Sequence, residues 1–214
     1  MKKLPAYVVA IPGRGGRGVL VGDIILTVAH CINYSTEGGM VLGDYFVEAI
    51  QTQRGGLKVG PIAVEPVSDI AVLGALDDQT FSDEAQAFEQ FCSATNPVPL
   101  AQDHIELHRP FRVRIYNHDG TWAKGSASLT TQFSPSIWIK AEKEIGGGAS
   151  GGPILNLKGE LVGLVSNSSV PNGNAKSTGL CPRPLQALPV WVCHKFLNRR
   201  LDRSRCCVRR LQSA

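Results

Sequence analysis

IGGGASGGPI, residues 145–154, places five glycines around Ser150 and then runs through Pro153 into apolar sequence. Glycine is favoured where backbone N–H groups must converge on something, or where another stretch of chain comes very close. Three readings fit: a flexible linker, a phosphate-cradling loop, and a turn that presents a serine nucleophile with backbone donors beside it. The phosphate loop drops out, because Gly-x-x-x-x-Gly-Lys-Ser/Thr needs a lysine in register and none follows these glycines. The rest of the chain decides between the other two.

At 214 residues the chain suits one large domain or two small ones packed together. With 23 Gly, 13 Pro and 19% charged residues it reads as globular and rich in turns. No apolar run reaches the length of a membrane-spanning helix, so no membrane span is expected. The start, MKKLPAYVVAIPGRGG, is basic, but its apolar stretch is short, holds Pro5 and Pro12 and lacks a small-residue cleavage site. It reads as a first β-strand, and the expected location is cytoplasmic. The formal charge of +4 is concentrated in residues 199–210, RRLDRSRCCVRR, with six Arg and one Asp; the remainder carries a net −1. The six cysteines are irregularly spaced, two of them adjacent at Cys206 and Cys207, and no Cys-x-x-Cys pair is present. Free thiols are therefore expected, with no metal site and no cofactor.

Short Val- and Ile-rich runs bounded by Gly, Asp or Pro dominate: AYVVAIP, RGVLVG, DIILTVAH, DYFVEAIQ, LKVGPIAVEP and DIAVLGAL. A polar, acidic stretch follows over residues 77–110. The pattern resumes with FRVRIYNHDGTWAKGSASL, a hairpin turning at Asp119-Gly120, then SIWIKAE and GGPILNLKGELVGLVSN, with a second turn at Lys158-Gly159. PLQALPVWVCHKFLNRRL predicts a closing helix. The rhythm predicts an all-β chain of two tandem six-stranded antiparallel barrels with a C-terminal helix. The expected boundaries are 1–76 for the first barrel, 77–110 for the linker, 111–184 for the second barrel, and 185–214 for the helix and basic tail.

Attack on a peptide carbonyl needs an activated hydroxyl, a base, a carboxylate to hold that base, and donors for the developing oxyanion. His30 in TVAHC, Asp69 in DIAVL and Ser150 in GASGGPI can supply them. Singly, His30 reads as a structural histidine and Asp69 as the cap of a strand; Asp44 in LGDYF is a rival carboxylate. Together and in this order, the three segments resemble the signature segments of the chymotrypsin-like serine proteases. The resemblance spans roughly residues 6–196. The compact size and short loops are closer to bacterial members, such as the high-temperature-requirement and glutamyl-endopeptidase groups, than to digestive enzymes.

The resemblance implies that Ser150 is the nucleophile, His30 the general base and then acid, and Asp69 the residue that orients His30. It implies an oxyanion hole from the N–H groups of Gly148 and Ser150. Ser166 corresponds to the strand that pairs with the substrate backbone, Asn167 and Ser168 to the pocket wall, and Gly179 to the glycine opposite. Glu144 stands at the pocket floor, where an acid selects Arg or Lys, or it is simply solvated beside Lys143; both readings stay open. His104, His108, His118 and His194 fall in no matching segment and are expected at the surface or in packing.

Two departures stand out. Cys31 follows His30, yet no cysteine precedes it, so the disulfide that many secreted relatives carry there has no partner in this sequence. Ala149 replaces the aspartate that in digestive members receives a new N-terminal ammonium, so activation through that ion pair is excluded.

The expected function is a serine endopeptidase acting on protein or peptide substrates, gated by a partner. The basic tail offers a docking handle for a regulatory protein. Nucleic acid is disfavoured there, because no aromatic residue interleaves with the arginines. The rival readings are a catalytically silent peptide-binding member of the same fold and a regulatory module docking through its tail.

Overall fold

The computed structural model describes residues 4–33, 47–65, 69–101, 109–130, 136–166 and 185–189. The expected helix beyond residue 189, the basic tail, Asp44, His104, His108, Asn167, Ser168, Gly179 and His194 lie outside the described residues.

The chain forms two closed six-stranded antiparallel barrels. The first is built from β1 (Val8–Ile11), β2 (Gly16–Val21), β3 (Ile24–Thr27), β4 (Glu48–Thr52), β5 (Gly55–Glu65) and β6 (Ile70–Gly74), in the order β1-β2-β3-β6-β5-β4. β4 alternates buried and exposed residues, as a strand with one wet face must. β3 and β6, which pair with each other, are buried at every position. Such runs are covered on both faces, and the cluster that holds them also takes in Leu155, Leu161 and Leu164 from the second barrel. Each fully buried Leu, Ile or Phe contributes about 1.5–3 kcal/mol, so this shared cluster fastens the barrels together. The pairing of β5 with β6 slips between Pro61 and Ala63, where proline has no N–H to give to a ladder.

The second barrel runs β7 (Phe111–Tyr116), β8 (Trp122–Thr130), β9 (Ser136–Ala141), β10 (Pro153–Leu155), β11 (Leu161–Val165) and β12 (Leu185–Pro189), in the order β10-β11-β12-β9-β8-β7. The expected hairpins are present. Gly120 (φ 77°) turns β7 into β8, and Gly159 (φ 84°) turns β10 into β11, both in the left-handed region that glycine tolerates.

Two assignments change. Residues 185–189, expected at the start of the closing helix, form β12, which pairs with β9 and β11 and closes the barrel. The second barrel therefore extends to Pro189 and not to residue 184. The stretch expected as a bare linker contains helix α1 (Ser82–Ser93), which buries Ala85, Phe88 and Phe91 at helical spacing. α1 packs on β5, and Glu84 meets Lys58 at 3.1 Å.

Candidate active site

His30 sits in a single 3-10 turn, Ala29–Cys31, directly after β3. Asp69 sits one residue before β6, and because β3 and β6 are neighbours the two side chains meet across the strand ends. Asp69 has φ 59°, the left-handed region that Asp enters at modest strain. That conformation is held by contacts to the His30 turn. The Asp69 carbonyl accepts from Ala29 N–H at 3.1 Å, and its Oδ1 accepts from His30 N–H at 3.0 Å. His30 Nδ1 lies 3.0 Å from Oδ1 and 2.9 Å from Oδ2. An ionised carboxylate can only accept, so Nδ1 carries the proton and Nε2 is left for other work.

The hydrogen bond to Asp69 pushes the His30 pKa up from its ordinary 6.5 to about 10; the side-chain hydrogen bond with Cys31 acts in the same direction, and burial opposes both. For Asp69, burial raises the pKa, but hydrogen bonds from the His30 ring, Ser166 and the His30 backbone outweigh it, and the net direction is down. Cys31 is a buried free thiol. A Cβ built on Gly16 would overlap its sulfur, so Gly16 is the residue that makes room for it.

The pair has a pH signature. As a base His30 works only when neutral, so activity should climb as pH rises above 6.5 toward its raised pKa. Asp69→Asn should move that rise back toward ordinary histidine values and lower the rate. Stability runs the opposite way. The His30 contribution is complete below 6.5 and is lost as pH climbs through about 10, while that of Asp69 is complete above 3.8 and is lost as pH falls through its lowered value. Profiles of kcat/KM and of melting temperature against pH test this; an unmoved activity rise in Asp69→Asn contradicts it.

Ser150 comes from the second barrel, in the turn between β9 and β10. Ala149 N–H donates to the Gly146 carbonyl at 3.3 Å with Gly148 at φ 86°, the pattern of a type II turn with glycine at its third position. The other glycines answer to close approaches. A Cβ at Gly151 (φ 75°) would overlap the Arg17 carbonyl oxygen and lie 2.7 Å from Thr27 Oγ1. One at Gly152 would lie 2.7 Å from the Ala149 carbonyl oxygen, and one at Gly146 would lie 2.6 Å from His118 Nδ1. The stretch is therefore a tightly packed turn, and the flexible-linker reading fails. Among the described residues, neither the N–H of Gly148 nor that of Ser150 has an acceptor.

Contacts across the cleft join the halves. Arg17 N–H donates to the Ser150 carbonyl at 2.8 Å, and an Arg17 guanidinium N–H donates to the His118 carbonyl at 3.2 Å. Ser166, just after β11, donates through Oγ to Asp69 Oδ2 at 2.6 Å, and its carbonyl accepts from Ser150 Oγ at a long 3.4 Å. Among the described residues His30 and Ser150 share no hydrogen bond. Catalytic hydrogen bonds are often long or unmade without substrate.

Glu144 is exposed beside exposed Lys143, and its carbonyl accepts from Asn117 Nδ2 at 2.7 Å. Sequence reasoning missed Asn117. It is 5% exposed, and its Oδ1 accepts from Gly146 N–H at 3.2 Å and His118 N–H at 2.8 Å. Asn117 thus ties the β7–β8 turn to the segment entering the Ser150 turn. His118 is exposed as expected, yet its ring covers Gly146. The signal available in sequence was a lone Asn-His before the Asp-Gly turn, which reads as turn chemistry alone.

Comparison with known proteins bears on the family and the fold. The family model described as the trypsin-like peptidase domain matches residues 16–164. A search of curated protein sequences finds no match. Among solved structures, the chain is similar to the inactive form of Rv3671c from M. tuberculosis H37Rv in a serine-to-alanine mutant, at 16% identity and TM-score 0.52, covering 91% of this chain and 86% of that one. It is also similar to the serine endoprotease from Yersinia pestis, at 18% identity and TM-score 0.57, covering 92% of this chain and 64% of that one. At these identities the likeness concerns the fold, which is the chymotrypsin-like pair of barrels.

Proposed function

The chain belongs to the trypsin-like peptidase domain family, and from that premise we propose that it is a serine endopeptidase working through an acyl-enzyme. Ser150 Oγ attacks the peptide carbonyl as its proton passes to His30 Nε2, and Asp69 holds the ring by Nδ1–H and stabilises the imidazolium. The oxyanion accepts from the N–H groups of Gly148 and Ser150. His30 then hands its proton to the leaving amine, and water repeats the sequence on the ester. The observation that carries this reading is the pair of N–H groups, without an acceptor among the described residues, in the turn that holds Ser150. Turning Ser150 Oγ from Ser166 toward His30 gives up only a long 3.4 Å bond between neutral groups, worth less than about 1 kcal/mol.

The substrate-binding set is Ser166, Asn167, Ser168, Gly179 and Glu144. Because Glu144 is exposed, its attraction for an Arg or Lys ahead of the cut bond is screened, and it tunes preference more than it dictates it.

A silent, peptide-binding member of the family is the second reading, and the unmade His30–Ser150 hydrogen bond favours it. A fluorophosphonate probe separates the two. Labelling of the wild type and none of Ser150→Ala supports the endopeptidase; a folded wild type that stays unlabelled supports the silent member.

A further inference from the structure

Away from the cleft, the second barrel turns a cationic face to solvent. Among the described residues its exposed positions are Arg112 and Arg114 on β7, Lys124 on β8, and Trp138 and Lys140 on β9. Arg114 lies directly across from Lys124, while Arg112 faces Ser126, which in turn faces Lys140. Cross-strand neighbours are about 5 Å apart and same-face neighbours along a strand about 7 Å, so the four cations share a patch about 10 Å across. They line a groove of about 670 Å³ in which Glu142 is the one carboxylate. Arg114 lies over the Trp122 ring at 5.6 Å. Among the described residues Arg112, Lys124 and Lys140 have no ion-pair partner.

This clustering does not follow from a basic body, since the chain outside residues 199–210 carries a net −1. Like charges directly across a ladder also destabilise a sheet. Arg114 and Lys124 repel across the ladder, and Glu142, whose N–H donates to the Lys124 carbonyl at 2.9 Å, brings one carboxylate against four cations, so an anionic ligand would complete the neutralisation.

The geometry points to a binding site for an acidic polypeptide segment, with Asp or Glu carboxylates against the four cations and an apolar side chain against Leu157, which is 69% exposed at the groove. Nucleic acid is the competing ligand: its bases need an open aromatic platform, and Trp138, 37% exposed two residues before Lys140, is one such ring beside the patch. Among the described residues that line the groove none is aromatic, and Trp122 lies under Arg114 and against Tyr116 with ring centroids 5.1 Å apart, so the groove itself favours the polypeptide. The groove ends at Ala141 and Glu142, where the chain leads into the Ser150 turn. As a docking site for substrates it rests on the proteolytic reading; as a binding site it does not.

The test is fluorescence anisotropy with the full chain and a labelled peptide of Asp, Glu and Leu, beside a single-stranded oligonucleotide of equal charge. The peptide should bind, more weakly as salt approaches about 0.15 M. Lys124→Glu and Lys140→Glu should each weaken it by roughly tenfold or more, while Arg209→Glu with Arg210→Glu should change it less than about twofold. Lys140→Glu, which lies opposite Ser126 on the ladder, should melt close to the wild-type temperature; replacing a merely structural lysine would lower it. Unchanged binding in the groove variants, loss only in the tail variant, tighter groove-dependent binding of the oligonucleotide, or no peptide binding by the wild type would overturn the assignment. Fluorophosphonate labelling of the same variants keeps the two questions apart: an unlabelled Ser150 refutes the proteolytic reading and leaves the anisotropy result standing.

Discussion

Ser150→Ala and His30→Ala should each lower kcat by about 10⁴-fold or more, and the double variant should fall little further than either single one. The non-additivity follows from the roles: without the base the hydroxyl is a poor nucleophile, and without the hydroxyl the base has no proton to take. KM should change far less than kcat, because neither group is assigned a contact that is as strong with bound substrate as with the transition state. Steady-state cleavage of peptide libraries by the three variants and the wild type measures this. Multiplying losses would show that His30 and Ser150 do not act as one unit. Wild-type turnover by Ser150→Ala would remove the serine mechanism altogether.

The second large effect is expected at a glycine. Gly151→Ala introduces a Cβ that overlaps the Arg17 carbonyl oxygen and crowds Thr27 Oγ1, at a backbone φ of 75°. The dihedral alone costs about 1–2 kcal/mol in a residue with a side chain. Backbone on the far side of the clash cannot step aside as a flexible side chain would, so the total should reach about 3 kcal/mol or more. Because Arg17 N–H also holds the Ser150 carbonyl, cleavage should fall with stability. Gly147→Ala is the control. A Cβ there meets nothing within 4 Å and its φ is ordinary, so its stability should stay within about 1 kcal/mol of wild type. Denaturant midpoints for the two variants decide the matter, and equal midpoints would mean that the turn is not packed as described.

The barrels were legible because their strands carry strong local signals. Ile24–Leu26 and Ile70–Leu73 are unbroken apolar runs, and the β7–β8 and β10–β11 hairpins announce themselves with Asp119-Gly120 and Lys158-Gly159. Helix α1 was missed because its buried face consists of Ala85, Phe88 and Phe91 alone, in an otherwise polar stretch, and its cap position holds Phe81 with no capping side chain. Asp83 and Glu84 in its first turn were the available hint. β12 was hidden because a short run preceded by Pro184, ending in Pro189 and followed by a helix-like pattern has no strand period of its own; its pairing partners define it. In the site, His30, Asp69 and Ser150 stood in recognisable segments. The Ser166–Asp69 hydrogen bond, the positive φ of Asp69 and the Asn117 tie did not, because each depends on where distant strands end in space.

The division of the cleft between two barrels also governs when it can exist. As the chain is synthesised, at roughly 5–20 residues per second, the first barrel has all six strands once β6 has emerged, and His30 and Asp69 can meet early. The second barrel lacks its final staves until Leu185–Pro189 slots between β9 and β11. Only then is the Ser150 turn, whose Gly151 N–H leans on the Val165 carbonyl at 2.7 Å, framed by a finished wall. A nascent or half-unfolded copy thus holds a charged dyad with no framed nucleophile beside it. On the proteolytic reading, maturation is its own safety interlock: the blade is mounted last.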